Sequence, residues 1–112
     1  MLIPLLAIAL SAPTSPETRN LGSVLYAHCQ EAVRILDNPR ALGDLQSATE
    51  CTAYIDGFSE SGGTLFCTDS ASVATMTKVY IAYMQKHPKL LDQPKSLGLL
   101  DSLMDSYPCP KK

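Results

Sequence analysis

The stretch SATECTAYIDGFSESGG, residues 47–63, decides the fold. Ala48, Cys51, Ile55 and Phe58 recur at intervals of three and four, which places them on one stripe of a helix. Ser47 and Glu50 have the spacing of a capping box, in which each side chain satisfies an orphan backbone N–H of the first turn, so the helix is predicted to start at Ser47. Ser61-Gly62-Gly63 stops it, glycine being the usual residue for a left-handed helix end. Gly57 sits inside this helix at a cost of about 1 kcal/mol against alanine, which predicts a close approach of another helix there. One helix with one apolar stripe cannot bury itself, so the flanking sequence must supply its partners.

Upstream, Leu21, Leu25, Cys29, Ala32, Val33 and Leu36 give a first helix over residues 21–37, ended by Asn38-Pro39 because proline disfavours helical backbone in the residue before it. Residues 40–46 read as a linker. Downstream of the bridge Thr64-Leu65-Phe66-Cys67, a third helix begins with Ser70 or Ser72 as N-cap and Asp69 favourably placed at the positive dipole end. Val73, Met76, Tyr80, Tyr83, Met84 and His87 lie along one side, and Pro88 closes it. A fourth helix is predicted from near Asp92, with Pro94 in its first turn. Its apolar face is read as Leu97, Leu100, Leu103, Met104 and Tyr107, and Pro108-Cys109-Pro110 ends it. No sustained alternation of β-branched residues is present. The reading is all-α: a small four-helix bundle-like domain.

The 112 residues support one domain. Hydrophobic residues at 46% with 18% charged residues are globular in character, and a net charge of −2 argues against a nucleic-acid binder, which usually carries a basic excess. MLIPLLAIALS, residues 1–11, is uncharged and apolar but shorter than the roughly 20 residues needed to span a bilayer. It fits the apolar core of a secretory signal, with small residues at Ala9 and Ser11 before a cleavage point. The expected organisation is a signal peptide over 1–11, a flexible linker over 12–20 and the helical domain over 21–110, exported and without stable membrane insertion once the leader is removed.

Cys29, Cys51, Cys67 and Cys109 are an even set with wide spacings and no CxxC, which fits two disulfides in an oxidising compartment better than a zinc or redox motif. Four cysteines allow three pairings. Short connections make neighbouring helices antiparallel. That sets Cys29, about two turns before the end of helix one, level with Cys51, one turn into helix two. It also brings Cys67, at the entrance of helix three, to Cys109, at the exit of helix four. The expected bridges are therefore Cys29–Cys51 and Cys67–Cys109.

Catalytic chemistry is not legible. A nucleophile needs a histidine free to act as base. His28 adjoins Cys29 but points about 100° away from it on a helix, and His87 precedes Pro88 at a helix C-terminus, where an imidazolium suits the dipole. The pairs Asp101/Asp105 and Asp56/Glu60 lack a third metal ligand and read as solvated faces. Gly62-Gly63 lacks the lysine spacing of a phosphate loop. No catalytic, metal or cofactor residues are assigned and no cofactor is expected. Charge is uneven, with seven acids and two bases between Glu31 and Asp69 but six bases and three acids from Ala71 onward. Such polarity steers partners.

Cys29, then CTAYIDGF (51–58), a lone Cys67, YMQKHPKLL (83–91) and SYPCP (106–110) occur in an order that resembles the Rap/Tai family of immunity proteins from type VI secretion loci. The likeness covers about residues 25–110. It implies a periplasmic antitoxin that binds a peptidoglycan-cleaving amidase effector and blocks its active-site cleft, and a homodimer as a common assembly. An inhibitor of this kind needs a rigid surface rather than chemistry. The expected contact region is the connection between helices two and three, Glu60, Ser61, Gly62, Gly63 and Thr64, with Asp69, which is Gly-rich and acidic. The competing reading is an exported, disulfide-stabilised helical structural or binding module with no toxin partner.

Overall fold

The computed structural model describes residues 19–40 and 43–111. The expected signal peptide over 1–11 and most of the expected linker over 12–20 lie outside the described residues. Among the described residues four α-helices follow in order: α1 (Gly22–Asp37), α2 (Leu45–Glu60), α3 (Val73–Lys86) and α4 (Lys95–Ser106), with a 3-10 turn (Pro88–Asp92) between α3 and α4. α1 is the central element and packs on α2, α3, α4 and the 3-10 turn. The fold is all-α, as the periodicities predict.

Helix starts reveal where the sequence reading slipped. Leu21 offers α1 no side-chain cap. Instead Gly22 N–H donates to the Gln93 carbonyl at 2.8 Å, and Lys95 N–H donates to the Asn20 carbonyl at 2.6 Å, so the two helix starts satisfy orphan donors through each other's leading strand. α2 begins two residues before the expected Ser47. Asp44 is its N-cap, accepting Ser47 N–H at 3.1 Å and Ser47 Oγ–H at 2.7 Å. A charged acceptor makes the stronger cap bond, and these bonds hold the Asp44 carboxyl below its ordinary range. Glu50, the expected capping-box partner, turns instead to His28 at 3.2 Å. In α3, Ser72 is the N-cap, accepting Thr75 N–H at 3.1 Å. α4 starts at Lys95 rather than Asp92, because Pro94 forces Gln93 into extended backbone, φ −101° and ψ 166°.

The core joins Leu25, Cys29 and Ala32 of α1, Cys51 and Ile55 of α2, Met76, Tyr80 and Met84 of α3, and Leu99 and Leu103 of α4. The expected face of α4 is corrected by rotation. Leu99 is fully buried, whereas Leu97 and Met104 are 38% and 43% exposed. Leucines at 97, 99, 100 and 103 wrap most of the helix, so hydrophobicity alone does not choose a side. The small residues choose it: Gly98 and Ser102 are buried, and a Cβ on Gly98 would stand 2.7 Å from Met84 Sδ. The close approach expected at Gly57 is absent, with nothing within 4 Å of its Cβ position. It occurs at Gly22, where a Cβ would collide with the Leu90 carbonyl. Leu36, expected in the α1 stripe, is 43% exposed.

Buried polar side chains are satisfied, two of them within their own helix. Thr77 Oγ–H donates to the Val73 carbonyl at 2.8 Å and Ser102 Oγ–H to the Leu99 carbonyl at 2.9 Å, the usual back-bonding of hydroxyls inside helices. Tyr80, fully buried, reaches the Gly22 carbonyl at 3.4 Å, and burial holds its phenol in the protonated form. Both expected disulfides are present: Cys29–Cys51, Cα atoms 5.0 Å apart, and Cys67–Cys109, 4.9 Å apart. They close separations of 22 and 42 residues, contributing about 3 and about 4 kcal/mol on the chain-entropy account.

Candidate functional site

The connection from α2 to α3 is pinned along its length. Ser61 ends α2, its N–H and its Oγ–H both donating to the Phe58 carbonyl, at 3.1 and 2.8 Å. Gly63 turns the chain with φ +60°, the left-handed region that favours glycine. Leu65 N–H donates to the Gly62 carbonyl at 3.0 Å, closing a turn. Phe66 then plugs the loop from below. It is 3% exposed, stacks on Phe58 at a centroid distance of 6.0 Å and covers Gly62, where any Cβ would run into its ring. Cys67 is held twice, by its bridge to Cys109 and by its N–H donating to the Tyr107 carbonyl at 2.8 Å. Ala71 N–H donates to the Thr68 carbonyl at 2.9 Å, and Ser72 begins α3.

Of the residues singled out from sequence, Glu60, Ser61, Gly63, Thr64 and Asp69 are exposed on this connection, while Gly62 is buried beneath Phe66. The structure adds Leu65, which sequence reasoning passed over. It is 56% exposed between Thr64 and the buried Phe66. Beside it runs an apolar groove of about 590 Å³ lined by Phe58, Leu65, Phe66, Pro94, Leu97 and Leu100.

Two other concavities are more polar. One, about 740 Å³, lies between α1, α2 and the start of α4. There His28 Nδ1 faces Glu50 at 3.2 Å and the Lys95 ammonium sits 4.3 Å over the Tyr54 ring. Burial raises the Tyr54 phenol above its ordinary value. The second, about 350 Å³, surrounds the end of α3, where His87 stacks on Tyr83 at 4.1 Å and its N–H closes the helix onto the Tyr83 and Met84 carbonyls. Desolvation, with Asp101 and Asp105 nearby, raises the Tyr83 phenol. Both histidines thus have structural partners. All four cysteines are bridged, and among the described residues no group of three His, Cys, Asp or Glu is placed to hold a metal ion.

The described residues form a disulfide-stapled helical body with no unsatisfied buried polar side chain and an exposed α2–α3 connection. Residues 21–109 match the family described as Rap1a immunity proteins. With most of its length covered, the chain belongs to that family, whose members counter a secreted effector and are generally not enzymes. No curated protein and no solved structure matches the chain. The two disulfides fit an exported protein, and among the described residues no helix is long and apolar enough to cross a membrane.

Proposed function

We propose that the chain is a periplasmic immunity protein which binds a peptidoglycan amidase delivered by type VI secretion and occludes its cleft with the α2–α3 connection. The observation that carries this reading is the anchoring of that connection. It is tied down by the buried Phe66, the Cys67–Cys109 bridge and the Gly63 turn, which favours an exposed segment that is ordered before any partner arrives. A segment already ordered loses little conformational freedom on docking. Glu60 and Asp69 give it negative charge, which steers association with a basic cleft. A homodimer belongs to the same reading, and sedimentation velocity reads it directly: a monomer at micromolar concentration removes it.

The decisive experiment is co-expression of this chain with the neighbouring gene product directed to the periplasm. Rescue from lysis supports the reading; lysis undiminished by an abundant, folded immunity chain refutes it. Glu60→Lys with Asp69→Lys should weaken binding to the cognate amidase by at least about tenfold. Unchanged affinity would move the contact surface elsewhere.

A further inference from the structure

The two disulfides stand in opposite surroundings. Cys29 and Cys51 are each 0% exposed, inside the core cluster with Leu25, Ala48 and Ile55. Cys67 is exposed and Cys109 half-buried, and their bridge joins two irregular segments, the α2–α3 connection and the tail beyond α4. A thiolate is charged and attacks a disulfide only where it can arrive hydrated, so exchange follows access. Core bridges are reached only when the surrounding packing opens.

We propose that Cys67–Cys109 is a site of thiol–disulfide exchange for a dithiol oxidoreductase of the C-x-x-C class, and that Cys29–Cys51 is closed to that chemistry while the fold persists. The incoming thiolate attacks Cys67 Sγ. A new S–S bond forms to Cys67 as the Cys67–Cys109 bond breaks, and Cys109 leaves as a thiolate that takes a proton from water. The second thiol of the reductant gives up its proton and attacks the mixed disulfide, releasing Cys67 as a thiolate that is protonated in turn. Two electrons pass to this protein, which ends with two thiols; the reductant ends as a disulfide.

The domain has anchors that do not depend on this bridge. In the bridged structure Cys67 N–H donates to the Tyr107 carbonyl at 2.8 Å, Phe66 fills the space over Gly62 and against Phe58, and Cys29–Cys51 joins α1 to α2; these should hold after reduction. What is lost is the covalent tie that limits the motion of the exposed connection and of residues 106–111. The bridge is a latch on the presented surface, separate from the bolt in the core. This assignment holds whichever partner the connection meets.

The test uses the oxidised full chain under native conditions with dithiothreitol as the dithiol probe. Aliquots are quenched with iodoacetamide, labelled cysteines are located by peptide mass spectrometry, and far-UV circular dichroism is followed in parallel. Cys67 and Cys109 should label at least about tenfold faster than Cys29 and Cys51, since the latter wait on core opening, while the helical signal stays at its native value. Equal rates, the reverse order, or labelling of Cys67 and Cys109 only as helicity is lost would overturn the proposal. A thioredoxin-class reductase whose resolving cysteine is replaced by serine provides the second measurement. It should be trapped as a mixed disulfide on Cys67. Absence of an adduct, or an adduct on any other cysteine, would overturn the assignment.

Discussion

Leu65 and Phe66 are chain neighbours with opposite surroundings, 56% and 3% exposed, and truncating each in turn separates the surface of the connection from its anchor. Phe66→Ala removes roughly 100 Å² of buried apolar surface, about 2.5 kcal/mol at the usual area coefficient. The space left over Gly62 and beside Phe58 adds a cavity term. The total is about 3 kcal/mol, the low end for such a change, because the connection lies one layer from solvent and can settle. For a domain of this size each kcal/mol moves the melting temperature by about 4–8 °C, so Phe66→Ala should melt about 12–24 °C below the parent under oxidising conditions. Leu65→Ala should stay within about 0.5 kcal/mol of the parent, as exposed substitutions do. If Leu65 is the apolar anchor at the tip of the connection, its truncation lowers affinity for the effector by at least about tenfold while the melt is unchanged. Calorimetry of the three proteins reads the first effect and titration calorimetry against the effector the second. A Phe66→Ala melt within about 4 °C of the parent, or equal losses of stability in both variants, would refute the plug.

Other perturbations probe the scaffold. Gly22→Ala drives a Cβ into the Leu90 carbonyl, a backbone atom that cannot swing aside, and should cost about 1–3 kcal/mol, whereas Gly57→Ala, with open space at its Cβ, should gain up to about 1 kcal/mol; urea midpoints in the reverse order would contradict the packing described. Replacing both Cys29 and Cys51 by serine should cost at least about 3 kcal/mol from loop closure alone, and an unshifted urea midpoint would show that the core bridge constrains nothing. Glu31 accepts from Arg34 and from the Asp44 N–H, bonds that lower its carboxyl from the ordinary 4.5. The stabilisation is therefore present above that value and is lost as pH falls through the lower, folded one. Glu31→Gln should melt below the parent at neutral pH, and the gap should close on acidification below the ordinary carboxylate value; a gap that widens on acidification would reverse the sign.

Much of the architecture is legible because it rests on local rules. The α1 stripe apart from Leu36, an α3 cap at Ser70 or Ser72, the stop at His87-Pro88 and both disulfide pairings follow from helical spacing, proline sterics and antiparallel neighbours. The misreadings have two causes: the α2 and α4 starts turn on neighbours a few residues away, Asp44 and Pro94, that outweigh the expected caps, and the rest turn on packing between helices. Ser47 and Glu50 have capping-box spacing, but Asp44 supplies the stronger acceptor and Glu50 has His28 of α1 within reach. Leucines surround α4, and only the fit of Gly98 and Ser102 into the bundle shows which of them go inside. Gly57 looks like a contact glycine because a glycine in a helix costs stability, yet the contact glycines are Gly22 and Gly98. In the candidate site, the exposure of Glu60, Thr64 and Asp69 was readable from polarity, while Leu65 was hidden by being apolar.

The residues that make the family recognisable perform structural work. Cys29 and Cys51 lie in the core, the Tyr54 ring lies under the Lys95 ammonium, His87 closes α3, and the Tyr107 carbonyl accepts from Cys67. The crest of the connection, residues 60–65, contains none of them. A scaffold fixed in this way leaves Glu60, Ser61, Thr64 and Leu65 of the crest free to differ between members without loss of fold, since exposed loop substitutions perturb stability little, while Gly62 and Gly63 are held by the Phe66 ring and by a positive φ. Partner choice should then travel with the crest. Exchanging residues 60, 61, 64 and 65 of this chain with those of a member that neutralises a different effector should transfer protection, with both disulfides still formed and the melting temperature within about 5 °C of the parent. A folded, fully bridged chimera that still neutralises only the original effector would place recognition on another face of the bundle.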